Sequence, residues 1–264
     1  MKRHMAMLIL MLLAGGVLSA QELPIGEPPI PFPTGLTDAK DPKQVATVLE
    51  VVALITILTL APSLLVLTTA FTRIVIVLSF LRRALTTQSL PPNQVMMGLS
   101  LFLTFVVMHP TWSRSWDEGI SPYLDGTQTS RTVAYERAAA PVREFMFAQV
   151  DANGWDELYL FIDATGLKPV SEEEGLTYDD IPTPMLASAF VLGELKRAFI
   201  MGFFLYLPFL IIDMVVSSIL MSMGMMMLPP IVISLPFKIL IFVMADGWRL
   251  VVGNLMRSFG PVPS

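Results

Sequence analysis

Two long apolar segments, Ala187 to Leu220 and Ile231 to Val252, are separated by the ten residues Met221-Ser222-Met223-Gly224-Met225-Met226-Met227-Leu228-Pro229-Pro230. Each segment is long enough to be a membrane-scale helix. Between them, Gly tolerates positive φ, and each Pro removes a backbone donor and pushes its predecessor out of helical geometry. The chain is therefore expected to make a helical hairpin with these residues at its tip. Turns are ordinarily polar, yet five of the seven residues from Met221 to Met227 are Met. Two readings account for them. The thioethers fill an irregular packed gap or rest on lipid, or they form a deformable seal around a pore, which suits unbranched and polarizable side chains.

Composition extends this environment to the whole chain. Of 264 residues, 54% are hydrophobic and only 15% charged, with a mean hydropathy of +0.65. An ordinary soluble domain carries roughly a quarter charged residues, so the protein is membrane-associated. It has no Cys, which excludes disulfides and thiolate chemistry, and His4 and His109 are its only histidines, so no metal cluster is expected. Between Ser113 and Ile181 there are fourteen Asp or Glu against five Lys or Arg, a balance that repels nucleic acid. The chain has no phosphate-binding Gly-rich loop, no nucleophile elbow, no His-Glu-x-x-His pair and no dinucleotide fingerprint. No catalytic residue and no cofactor are expected.

Taken in order, Met1-Lys2-Arg3-His4, the apolar run Met5 to Leu13 and the small residues up to Ala20 describe a signal peptide over residues 1–20, with a retained anchor as the alternative because Leu18 is bulky for a cleavage site. Residues 21–44, with six prolines, read as an extended extracytoplasmic arm. Residues 45–112 read as the first apolar helices: Val45 to Leu81 as a kinked helix or a tight helical hairpin, with Pro62 as a natural break, a polar turn after Arg82-Arg83, then Asn93 to Met108 ending at His109-Pro110. Trp112 and Trp116 stand where an interfacial belt would lie, and Arg82-Arg83 mark a cytoplasm-facing turn. The acidic segment 113–183 then falls outside, with helices expected over Ser130 to Val150, bent at Pro141, and over Trp155 to Thr165, ended by Gly166. Thr183 is expected to cap a helix whose first residue is Pro184, opening the Met-tipped hairpin of residues 184–256, and residues 257–264 form a short tail.

Within those apolar segments stand Glu194, Lys196, Arg197, Asp213, Lys238, Asp246 and Arg249. A charge left in hydrocarbon costs about 2.5–3.5 kcal/mol on insertion scales, so these residues need partners. Glu194 with Arg197 and Asp246 with Arg249 are local pairs three residues apart. Glu194 and Lys238 lie on opposite arms and are placed to meet across the hairpin or between neighbouring copies, as a structural pair that fixes register. The alternative is a proton or ion relay.

The stretches Ala189-Phe190-Val191-Leu192-Gly193-Glu194-Leu195-Lys196-Arg197-Ala198-Phe199-Ile200-Met201-Gly202, Pro236-Phe237-Lys238, Asp246-Gly247-Trp248, Leu228 to Pro236 and Thr72 to Arg82 closely resemble the flagellar biosynthetic protein FliP family, with likeness from about Val45 to Ser258. The resemblance implies an all-α fold of kinked helical hairpins with an extracytoplasmic helical insertion, assembling as a ring. It implies a pore-forming core subunit of a type III protein export gate in the bacterial inner membrane and flagellar basal body, set largely on the extracytoplasmic side. Its implied partners are further copies of itself, five in the ring, FliQ and FliR, other export-apparatus and basal-body proteins, unfolded protein substrates and membrane lipid. Carried over position by position, Met225, Met226 and Met227, with Met223 beside them, match a methionine gasket, and Glu194 and Lys238 match an inter-subunit salt bridge. Two other functions compete: a secondary transporter or proton channel using Glu194, Asp213 and Asp246, and an assembly scaffold without a conduit.

Overall fold

The computed structural model describes residues 42–85, 91–153, 155–166, 178–225 and 228–260. The expected signal peptide, the Pro-rich arm as far as residue 41, the turn Thr86 to Ser89, most of the acidic loop from Ser171, and Met226 and Met227 lie outside the described residues. Those described are helical, with no strand among them, as the sequence requires.

The chain divides into two units, Met1–Leu65 and Val66–Ser264. In the first lies most of α1 (Pro42–Leu67), which begins within the last residues assigned to the arm. It is apolar all round, and from Leu49 to Leu67 it is long and apolar enough to cross a membrane. Of the two forms expected at Pro62, the tight hairpin does not occur. The helix runs through Pro62 and stops at Leu67, where Thr69 takes over: its hydroxyl donates to the carbonyl of Val66 at 3.2 Å and accepts from the amide of Phe71 at 3.4 Å. A Thr side chain competes for backbone groups in this way at helix ends. Pro62 deletes one backbone bond, whereas ending the helix there would strand several donors and acceptors, and an apolar setting holds no water to satisfy them.

The second unit is organised around α2 (Phe71–Ala84), whose residues Ile74, Val77, Leu78, Leu81 and Ala84 recur at helical spacing and are buried. This stripe packs against α7 (Thr183–Ser222). Gly202 lets the two helices approach, since a Cβ there would lie 2.5 Å from the Phe80 ring. On another side of α2 lies α3 (Asn93–Arg114). Contrary to expectation it passes through Pro110 and widens into a π-helical stretch, Ser115–Ile120, before the single turn α4 (Ser121–Leu124). What holds this stretch is α5 (Arg131–Asn153): Gly119 sits so close to it that a Cβ would fall 2.4 Å from the Ala138 amide nitrogen. Trp112 belongs to this packing and not simply to an interface, for its ring lies 5.5 Å from Phe105 and against the core.

The expected apolar face of α5 is buried at Phe145, Met146, Gln149 and Val150. The short helix α6 (Asp156–Thr165) ends at Gly166, whose φ of 66° allows its amide to close onto the carbonyl of Ile162. Both α5 and α6 pack on α7. That helix runs 40 residues unbroken through Pro208, about 60 Å at 1.5 Å per residue and twice a hydrocarbon thickness of about 30 Å. Thr183 does not cap it; its hydroxyl accepts from the Arg143 guanidinium at 2.7 Å instead.

The return arm is not one helix. It breaks into α8 (Pro230–Met244) and α9 (Gly247–Arg257), inclined at 64°. Asp246 adopts a left-handed conformation, φ 50°, and a Cβ on Gly247 would lie 2.3 Å from the Phe242 ring. Asp tolerates that region and Gly alone fits the contact, so the Asp-Gly pair marks a sharp turn inside an otherwise apolar run. By length and composition, α1, the helical run Asn93–Leu124 and α7 qualify as spans, with a fourth if α8 and α9 form one broken span.

Candidate functional site

Arg73, on the first turn of α2, has no exposed surface, and neither does Glu194 on α7. The Arg73 Nε donates to Glu194 Oε2 at 2.8 Å and Nη2 donates to Glu194 Oε1, a bidentate pair. The remaining donors go to Gln149 Oε1 on α5 at 2.9 Å and to Ser258 beyond α9, whose carbonyl and hydroxyl oxygens lie at 2.7 and 3.0 Å. A guanidinium has five N–H donors, and here each finds an acceptor. The ring of Phe259 covers the group at 4.1 Å. The Gln149 amide donates to the Phe259 carbonyl at 3.0 Å, and Arg197 donates to the carbonyls of Ser258, at 3.2 Å, and Ala152. One cation thus joins α2, α5, α7 and the residues after α9.

A second buried cation sits further along the hairpin. Lys238 of α8 donates to Asp213 Oδ2 on α7 at 2.6 Å and to the carbonyl of Ala84, the last residue of α2, at 3.1 Å. The other oxygen of Asp213 accepts from the Ser234 hydroxyl at 2.6 Å. Lys238 and Ser234 are buried and Asp213 about a quarter exposed. These bonds tie both arms of the hairpin to α2 below its tip.

Within the chain, then, the Glu194–Lys238 pair expected from the sequence is not formed. Glu194 has both oxygens on Arg73, and Lys238 has found Asp213. The reason is position: Glu194 lies near the start of α7 beside the start of α2, whereas Lys238 lies beside the end of α2. Asp246 and Arg249 do approach, at 3.8 Å on the surface. Sequence reasoning passed over Arg73, Gln149, Ser234 and Ser258. Arg73 carried the same signal as the others, a lone charge in an apolar run, but polar residues as ordinary as Gln149 and Ser258 give none.

Another ion pair joins α6 to α7. Glu157 of α6 accepts from the Lys196 ammonium at 2.6 Å. That hydrogen bond holds the Glu157 carboxyl below its ordinary value of 4.5, against the opposing effect of burial. Nearby the Tyr178 hydroxyl donates to Asp151 at 2.8 Å, which raises its pKa.

At the tip, Met223 ends α7, and Gly224, φ 72°, reverses the chain. The Gly224 amide donates to the Met221 carbonyl at 3.1 Å and the Met225 amide to that of Leu220 at 3.0 Å, the paired closure of a Schellman motif. Met221 and Met223 are 59% and 64% exposed and Met225 is half-buried. Exposed apolar side chains continue along α7 at Met214, Val215 and Ile219 and along α8 at Ile231 and Val232. Among the described residues no group of His, Cys, Asp and Glu could hold a metal ion.

A family model described as the FliP family matches residues 54–255. The flagellar biosynthetic protein FliP of Bacillus subtilis (strain 168) is 49% identical over 222 residues, 84% of this chain and 96% of its own length. That of Caulobacter vibrioides is 50% identical over 212 residues, 80% and 76% of the two chains. That of Rhizobium meliloti (strain 1021) is 40% identical over 263 residues, 98% of this chain and 100% of the relative.

Proposed function

This chain belongs to the FliP family, and on that premise we propose that it is a non-catalytic, pore-forming subunit of the flagellar protein export gate. Several copies, five in the ring, surround a conduit with FliQ and FliR, and unfolded proteins pass through it. The Met-rich tip, with Met223, Met225, Met226 and Met227, closes the resting pore. The observation that carries this reading is the exposed methionine turn at the end of a 40-residue helix that is itself too long for one hydrocarbon slab. Apolar side chains displayed at a tip and along both flanking helices are left exposed among the described residues, and surface of that kind marks contact with other molecules. The buried Arg73 and Lys238 clusters hold the two arms so that the tip is presented in a fixed place.

The competing proton-channel reading requires a series of exchangeable carboxylates. Here Glu194, Asp213 and Asp246 each face their own cation, Arg73, Lys238 and Arg249, an arrangement suited to structure. The seal is tested with the assembled complex in a planar bilayer. Replacing Met225, Met226 and Met227 together by Ala is expected to open a leak for small ions. Unchanged conductance in that variant refutes the seal.

A further inference from the structure

We propose that the segment after α9 is a releasable clasp: Ser258 and Phe259 hold the far end of α9, Asp246 is the hinge at its near end, and undocking the segment frees α9 while the Arg73–Glu194 pair stays closed. The clasp rests on the geometry of this segment and not on the conduction reading above.

Three observations carry it. The first is the hinge. The Asp246 amide closes α8 onto the Val243 carbonyl at 3.1 Å, and the Asp246 carbonyl opens α9 by accepting from the Leu250 amide, also at 3.1 Å. The two helical ladders therefore meet at one residue, held at φ 50°, where residues other than Gly are uncommon. A few residues at the end of an element suffice to absorb a change of angle between helices. The second is where α9 is held. Along its body Trp248, Arg249 and Leu250 are exposed, Val251 and Met256 pack on the core only in part, and burial is confined to Gly247 beside the hinge and Leu255 near the end. Past that end the grip is polar and drawn from three helices. Arg73 of α2 and Arg197 of α7 both donate to the Ser258 carbonyl, at 2.7 and 3.2 Å, and Arg73 also reaches the Ser258 hydroxyl at 3.0 Å. Gln149 of α5 donates to the Phe259 carbonyl at 3.0 Å, and the Phe259 ring, 4% exposed, lies 4.1 Å from the Arg73 guanidinium. The third is what remains after release. Arg73 Nε and Nη2 keep Glu194 and Gln149, so opening strands no buried charge, the outcome that makes breaking such a pair costly. Release gives up only the bonds to Ser258 and Phe259 and the burial of one ring. The angle of α9, and with it the direction in which Trp248 and Leu250 are presented, is therefore set by two residues beyond the helix.

The chain has no Cys, so N254C on α9 and S188C on α7, both at exposed positions, take two spin labels and no others. Double electron–electron resonance on the labelled full chain in detergent compares the parent, F259A, F259L and M108A. Met108 is fully buried on α3, a helix outside the clasp, and its truncation weakens the fold without touching the tail. The parent is expected to give a narrow distance distribution, F259A one at least twofold wider or displaced, and F259L one in between. M108A should melt at lower temperature than the parent yet keep the parent's distribution. If F259A does not fold by circular dichroism, F259L against the parent decides. A parent as broad as the Phe259 variants, Phe259 variants as narrow as the parent, or equal broadening in M108A would overturn the clasp. Ion leak tests the conduction reading, so the two fail separately.

Discussion

Replacing Arg73 by Met removes five donors at one stroke and leaves their acceptors in place. Glu194 becomes a buried carboxylate that has lost its bonded counter-charge, and breaking a buried pair from one side costs about 3–5 kcal/mol. Gln149 Oε1 and the Ser258 hydroxyl oxygen lose their donor as well, while the Ser258 carbonyl keeps Arg197, at about 1–3 kcal/mol for each acceptor left unsatisfied. The total approaches the whole stability of a typical domain, about 5–15 kcal/mol. R73M alone is therefore expected to yield little folded protein. The double variant R73M/E194M removes the stranded charge too, and exchange of a buried pair for apolar residues is often neutral. It should recover about 3 kcal/mol or more and retain only the deficit at Gln149 and Ser258. R73K keeps the charge but offers three donors for five acceptors, so it falls between parent and R73M. Unfolding in mixed micelles followed by circular dichroism measures all four proteins. If R73M and R73M/E194M lose the same stability, Arg73 and Glu194 are not coupled, and the cluster does not hold the fold in the way described.

Two further predictions concern the bend and the outer ion pair. Gly247→Ala places a methyl group into the Phe242 ring and is expected to cost about 1–3 kcal/mol, as overpacking does; pairing it with Phe242→Leu should return part of that loss in a thermal melt, and a G247A protein as stable as the parent refutes the contact. For Glu157 the folded pKa lies below the ordinary 4.5, so its stabilising contribution is present above that pH and is lost as pH falls through the folded value. The melting temperature of E157Q should accordingly lie below the parent's at pH 7 and converge with it as pH falls below the lowered folded value, whereas a gap that ignores pH would rule out the ion pair as its source.

The contrast between what was readable and what was not follows the range of the interaction. The helical hairpin, the reversal at Gly224, the stop at Gly166 and the buried face of α5 were legible because each depends on residues within a turn or two of one another. Rules of that range also misled where the surroundings outweighed them. Pro62 and Pro110 read as points where a helix breaks or ends, yet the helices continue, since in an apolar setting one lost hydrogen bond is cheaper than a helix end with no water to receive it. The reverse error occurred at Ala245-Asp246-Gly247, where an apolar run hid a turn whose necessity comes from the Phe242 ring.

By itself the sequence determined that the protein is helical and membrane-associated, that its longest hairpin ends in methionines, and that its isolated charges must find partners. It did not determine which partners. Arg73 meets Glu194 across 121 residues and Ser258 across 185, and Lys238 meets Asp213 and Ala84 while Glu194 is taken. That choice is made only when α2, α5, α7 and α8 pack, because a buried charge is neutralised by whichever group the packed helices bring within hydrogen-bond distance, and spacing along the chain carries no record of it.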